Sequence, residues 1–143
     1  MDSKLSSTAF LANETSHRAI VADFLTPDRI VQISAALGQF MQDSQPFLSL
    51  GYNLRDLGGD LGIPYYHLSA FINQWLGMNF NDYMNQFRIR YCQQLVKNGQ
   101  ADHLNLRGLA HHCGFGNRNT FTSAFKKYTG LTPSVYVKRA MIA

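Results

Sequence analysis

From residue 26 onward, apolar residues recur three and four apart in segments separated by Gly, Pro and Asn, the pattern of a chain built from short amphipathic helices. Thr26-Pro27-Asp28 supplies an N-cap and a proline at the first helical position. Ile30, Ile33, Leu37, Phe40 and Met41 then form one face, so a helix is expected to about Asp43, closed by Pro46. Asn53 caps a helix carrying Leu54, Leu57 and Leu61, Gly62 makes a turn, and a second helix is expected over Tyr65 to Leu76. Asn79 caps a longer helix, from about Phe80 to Val96, with Phe80, Tyr83, Met84, Phe87, Tyr91 and Leu95 as its apolar stripe.

The last third repeats the short-helix pattern with more pointed chemistry. Asn105 caps a helix holding Leu106, Leu109, Ala110 and Cys113, Gly114 permits a sharp reversal, and Phe115 plugs the angle between two helices. Asn117 caps the next helix, in which Thr120, Phe121, Ala124, Phe125 and Tyr128 fall near an inward arc. Arg118, Asn119, Thr122, Ser123 and Lys126 are left outside. Arg suits guanine edges, Asn suits adenine, and Thr or Ser suits several bases, whereas Lys126 and Lys127 suit phosphates. Gly130 and Pro133 are expected to stop this helix.

The two helical pairs are copies. Leu68, Ile72, Gly77, Met78 and Tyr83 return 53 residues later as Phe121, Phe125, Gly130, Leu131 and Tyr136, and the first copy's turn is one residue shorter. The expected architecture is therefore all-α, homeodomain-like, with two helix-turn-helix subdomains joined by a long connecting helix. At 1.5 Å per residue a connecting helix of about seventeen residues spans roughly 26 Å, enough to hold two reading helices in successive faces of a major groove. The organisation reads as a polar linker (1–25), a bracing helix (26–49), a first helix-turn-helix (50–79), the connecting helix (80–97), a second helix-turn-helix (98–139) and a tail (140–143). Phe47-Leu48 is expected to pack on the bracing helix.

Charge sharpens the picture. Residues 1–83 carry four basic and eight acidic side chains, and residues 84–143 carry nine and one, so the net charge of +4 divides into −4 and +8. A polyanion should favour the second half, and salt should weaken its binding steeply. The two cysteines, Cys92 and Cys113, fall on inward helix faces and read as core residues, as do Met41, Met78 and Met84. His111-His112-Cys113 is not read as a metal site, because consecutive helical residues point to different sides. No nucleophile has an evident base beside it, so neither an enzyme nor a cofactor protein is expected. No apolar run reaches the length of a membrane span and no signal-peptide core opens the chain, so the expected location is the cytoplasm.

Leu109-Ala110, Gly114-Phe115, Phe121, Phe125-Lys126, Gly130, Pro133 and Tyr136 resemble the signature of the AraC/XylS family of bacterial transcription regulators, and the resemblance covers roughly residues 50–139. Val137-Lys138-Arg139 departs from its usual Tyr-Arg ending. The family's layout is also two helix-turn-helix units on a long helix. The resemblance implies base-facing positions at Tyr66, Ser69, Ala70 and Asn73 in the first unit and at Arg118, Asn119, Thr122 and Ser123 in the second. The first unit departs further: residues 65–76 contain no Lys or Arg, Pro64 replaces a Ser-type cap, Ala70 offers only a methyl group, and Gly58-Gly59 stands where strong helix formers are usual. The expected partners are double-stranded promoter DNA and, from the resemblance, RNA polymerase. The isolated chain is expected to be a monomer. Its polar start and short length fit the output end of a longer sensor-regulator. The competing reading is a helical protein-interaction module that does not read DNA by itself.

Overall fold

The computed structural model describes residues 24–142, and the expectations for residues 1–23 fall outside it. The described residues form seven α-helices and no strand: α1 (Pro27–Ser44), α2 (Leu54–Leu61), α3 (Tyr65–Ala70, prolonged by a π-helical turn over Phe71–Trp75), α4 (Phe80–Lys97), α5 (Leu106–His112), α6 (Arg118–Thr129) and α7 (Pro133–Ile142). They divide into two compact units, one from residues 24–43 with 53–80 and one from 44–52 with 81–142.

In the first unit, α1 starts as the Thr26-Pro27 pair dictates: Thr26 Oγ1 accepts the amide of Arg29 at 3.1 Å. Ile33, Leu37 and Met41 of α1 are buried, as are Leu57, Ile63, Leu68, Phe71 and Ile72. Asn53 and Asp56 form a reciprocal capping box on α2, and Gly62 ends it in the left-handed region at φ 67°. The pair Gly58-Gly59, unfavourable by helix propensity, has a packing reason at one of its positions. A Cβ on Gly58 would lie 2.8 Å from the carbonyl oxygen of Ile63 and 3.2 Å from the backbone of Tyr65, so the bare backbone lets α3 start against α2. Gly59 meets nothing within 4 Å. The widened turn over Phe71–Trp75 was not foreseen; there Leu76 donates its amide to Phe71, five residues back.

The second unit is built around α4. The expected stripe buries Tyr83 and Met84, but Ile89, Cys92 and Val96 on another face are also buried and join Leu109, Ala110, Cys113, Phe115, Phe121, Ala124 and Phe125 in one core. α4 is covered on more than one side because residues 44–52 belong to this unit. Phe47 stacks on Phe87 with centroids 5.5 Å apart and meets Tyr91 edge-on at 6.3 Å. Phe47 is thus buried against the flat surface offered by Phe87 and Tyr91. Arg88 secures the strap by donating Nε–H to the Phe47 carbonyl at 2.7 Å and another N–H to Asn85 Oδ1 at 2.7 Å. Burial lowers the Arg88 pKa from its ordinary value.

Gly130 ends α6 in the left-handed region at φ 81°, and Pro133, expected with it as a stop, opens α7, where Thr132 Oγ1 accepts the amide of Val135 at 3.3 Å. This is the Thr-Pro signature of α1 a second time, and α7 runs on through residues 140–142. No helix among the described residues is long and apolar enough to cross a membrane.

Candidate nucleic-acid interface

The second helix-turn-helix is assembled from local bonds and an aromatic ladder. Asn105 Oδ1 accepts the amide of Gly108 at 2.7 Å and Asn117 Oδ1 accepts that of Thr120 at 2.8 Å, so both helices start where the sequence places them. Between them Gly114 takes φ 90°. A side chain there would be excluded twice, by that dihedral and by the carbonyl oxygen of Phe47, which the glycine backbone directly approaches. Phe115, Phe121, Phe125 and Tyr136 then form a run of ring contacts with centroids 5.2, 5.7 and 5.2 Å apart. This run fixes the rotation of α6, and rigid backing of that kind makes an outward face usable for recognition.

On that outward face Arg118, Asn119, Ser123, Lys126 and Lys127 are exposed, and Thr122 is half-buried. Thr120 and Tyr128, expected inward, are exposed and half-buried respectively. Thr120 stands in the first turn, too early in the helix to be covered. Two lined depressions flank the reading face. Arg118 shares one with Arg107, His111 and Gly116. Asn119, Ser123 and Lys127 share the other with Asp82 and Asn85 at the start of α4. Sequence reasoning named none of Arg107, Asp82 and Asn85, and gave His111 no part in binding. For Arg107 and His111 a signal existed, a basic pair four apart on α5; for Asp82 none did. Lys127, expected as a phosphate contact, is ion-paired with Asp82 at 3.3 Å.

The first unit presents a different surface. Tyr66 is 56 % exposed and Asn73 is exposed, but Asn73 Nδ2 donates to Ser69 Oγ at 3.1 Å, so those two polar groups engage each other along α3. Ala70 is only 5 % exposed. Its methyl therefore offers little surface to a base. The missing cation of α3 is supplied from α2, where Arg55 lies over the Tyr65 ring at 4.3 Å and donates to the Tyr65 hydroxyl at 3.2 Å. Trp75, given no role by the sequence, is 59 % exposed at the end of the widened turn. Tyr66 is braced edge-on by Tyr65 and His67, and His67 stacks on Phe24 at 4.1 Å.

Neither thiol is placed for chemistry. Cys92 and Cys113 are buried free thiols, and a hydrogen bond with Cys92, together with burial, raises the Cys113 thiol above its ordinary value. Among the described residues no group of three or more His, Cys, Asp or Glu side chains could hold a metal ion.

Two helical pairs, each opened by an asparagine cap and joined by a glycine turn, and an exposed polar helix on rigid aromatic backing define a helix-turn-helix protein of the DNA-binding class. The comparisons agree. A family described as a helix-turn-helix domain matches residues 57–139, more than half of the chain. The chain belongs to this family, of AraC/XylS type, whose members are DNA-binding transcription regulators. It is 33 % identical over 70 residues to the HTH-type transcriptional regulator YijO of Escherichia coli, a match covering 49 % of this chain and 24 % of that protein. It is 36 % identical over 61 residues to the HTH-type transcriptional activator RhaR of the same species, covering 43 % and 21 %. The matched segments thus span about a quarter or less of these relatives. Among solved structures, a Listeria innocua protein of unknown function aligns with TM-score 0.59 and 29 % identity, over 74 % of this chain and 94 % of that one. The C-terminal domain of the two-component response regulator YesN from Fusobacterium nucleatum aligns with TM-score 0.58 and 25 % identity, over 71 % and 97 %.

Proposed function

We propose that this chain is the output domain of a larger bacterial sensor-regulator, that it reads a specific promoter sequence in double-stranded DNA, and that it activates transcription by positioning RNA polymerase. The observation that carries the reading is the outward face of α6: Arg118, Asn119 and Ser123 are exposed on a helix whose rotation is held by Phe121 and Phe125. Arg118 and Asn119 are assigned to base edges, with Thr122 and Ser123 completing the set, and Lys126 is assigned to phosphates, with Lys127 beside it paired to Asp82. In the first unit Tyr66, Ser69 and Asn73 are the base-facing candidates, and Ala70, largely covered, adds no more than a methyl group. The activator RhaR and the response-regulator domain of YesN support the regulatory part by likeness alone. The domain is proposed to act as a monomer in the cytoplasm, without a cofactor and without catalysis.

Selection from a random duplex library, at two salt concentrations and with Arg118→Ala, tests this. Enrichment of a defined motif is expected, with Arg118→Ala relaxing preference at one guanine position by about 1–3 kcal/mol. Two separated half-sites would assign reading to both units, and one half-site to α6 alone. Retention that merely falls with salt, with nothing enriched, would defeat sequence-specific reading and favour a protein-interaction module.

A further inference from the structure

Asn119, Ser123 and Lys127 lie four apart on α6 and so form one row, and this row shares its depression with Asp82 and Asn85 of α4. Lys127 Nζ is 3.3 Å from Asp82 Oδ2, and the neighbouring Tyr128 donates its hydroxyl to the Asp82 carbonyl oxygen at 3.2 Å. The ammonium also lies 5.5 Å from the centroid of the Tyr128 ring. The start of α4 therefore holds Lys127 by a carboxylate, with the ring of its α6 neighbour Tyr128 beside the ammonium, while the bond from Tyr128 to the Asp82 backbone ties the two helices together. Lys126 is rotated about 100° around the helix from Lys127. It is exposed and has no ion pair among the described residues.

Two adjacent lysines of one reading helix thus differ in electrostatic standing. Sequence-independent attraction to DNA grows with the number of phosphates that protein cations neutralise, each contributing about 0.9 to the slope of log affinity against log salt. A lysine already neutralised by a carboxylate loses most of that attraction, and a phosphate approaching it also approaches the carboxylate. An ion pair this exposed adds little to folding stability, so its weight falls on the charge that the helix offers to DNA.

We infer that Asp82 is a positioning residue for DNA binding: it holds Lys127 against α4 and removes it from the phosphate-binding set, leaving Lys126 as the cation that anchors the C-terminal half of α6. This rests on the DNA-reading proposal above. Asp82 sets the background affinity of the domain from outside the reading helix. It touches the polymer only through the lysine it occupies.

The test is a double-mutant cycle on the intact chain, with affinity measured across a salt series on a selected duplex and on a scrambled one. Lys126→Ala is expected to flatten the salt slope by about 0.9, and Asp82→Asn to steepen it by about 0.9 with a severalfold gain in affinity on both duplexes. In the Lys127→Ala background, Asp82→Asn is expected to do neither. An equal gain in both backgrounds would mean that Asp82 acts only as a nearby negative charge, and this would overturn the inference. So would a lowered melting temperature with an unchanged slope, the result if Asp82 merely favours the positive end of α4 as a first-turn acid. Because Tyr128 bonds the backbone of residue 82, Asp82→Asn leaves that helix contact in place. A wild type that holds no duplex at low salt would overturn the DNA-reading proposal and this inference together. Wild-type binding that is sensitive to Lys126→Ala, combined with a failed cycle, would overturn this inference alone.

Discussion

Gly58 and Gly59 stand side by side on α2, and helix propensity treats them alike, each about 1 kcal/mol worse than alanine. The tertiary environment separates them. Gly58 is buried where a Cβ would press on the backbone of Ile63 and Tyr65, whereas Gly59 is exposed with open space around it. Gly59→Ala is therefore expected to stabilise the protein by about 0.5–1 kcal/mol, through the reduced entropy of the unfolded chain. Gly58→Ala is expected to destabilise it by about 1–3 kcal/mol, because backbone cannot yield as a flexible side chain can. Chemical denaturation of both variants checks this, and equal shifts of the same sign would show that packing between α2 and α3 is looser than it looks. The first unit's departure from its family at this pair is thus half necessity and half tolerance.

At the scale of elements, α3 owes its setting to neighbours as much as to its own residues. His67, in its first turns, accepts a bond at Nδ1 from an Arg29 guanidinium nitrogen of α1 at 3.1 Å and stacks on Phe24. Burial, and then the charge of Arg29, lower its pKa from the ordinary 6.5. The folded unit therefore binds fewer protons at this site than the unfolded chain does. The stability this contributes is present above pH 6.5 and is lost as the pH falls through the lowered value. Melting temperatures near pH 7.5 and near pH 5.5, roughly one unit either side of the ordinary value, are expected to differ less for His67→Gln than for the wild type. An undiminished difference would assign the acid sensitivity to other groups. The same dependence on neighbours shows in the cation beside α3, which has no Lys or Arg of its own: Arg55 of α2 places a guanidinium on Tyr65.

At the scale of the whole molecule, the second unit concentrates both the cations and the larger share of the buried apolar residues. Its thiols report on that core, since Cys92 and Cys113 sit at 0 % exposure among Ile89, Leu109, Phe121 and Phe125. A maleimide is expected to label neither in the folded protein and both on unfolding, with a midpoint that matches loss of helical circular dichroism. Fast labelling of either thiol under native conditions would mean that the core opens locally. A core of that kind suits a reading element whose partner is a stiff polymer, because recognition by a fixed face requires that the face not wander.

What was legible in the chain alone follows from range. Asn53, Asn105 and Asn117 were readable as caps because each side chain bonds an amide three residues away. The glycine turns, the tandem repeat and the amphipathic faces were readable for the same reason: covalent neighbours and helical periodicity decide them. The start of α7 was also written there, in a Thr132-Pro133 pair like Thr26-Pro27, but proline was read only as a stop. No local rule reaches the seat of Phe47 on Gly114, the burial of Ala70, the placing of Arg55 on Tyr65 or the pairing of Asp82 with Lys127. Such contacts join residues from different elements, and their partners exist only once packing has set the rotation of each helix. Residue order therefore declares a helix-turn-helix DNA-binding domain, and tertiary structure decides which of its polar residues are turned outward and which of its charges are already engaged.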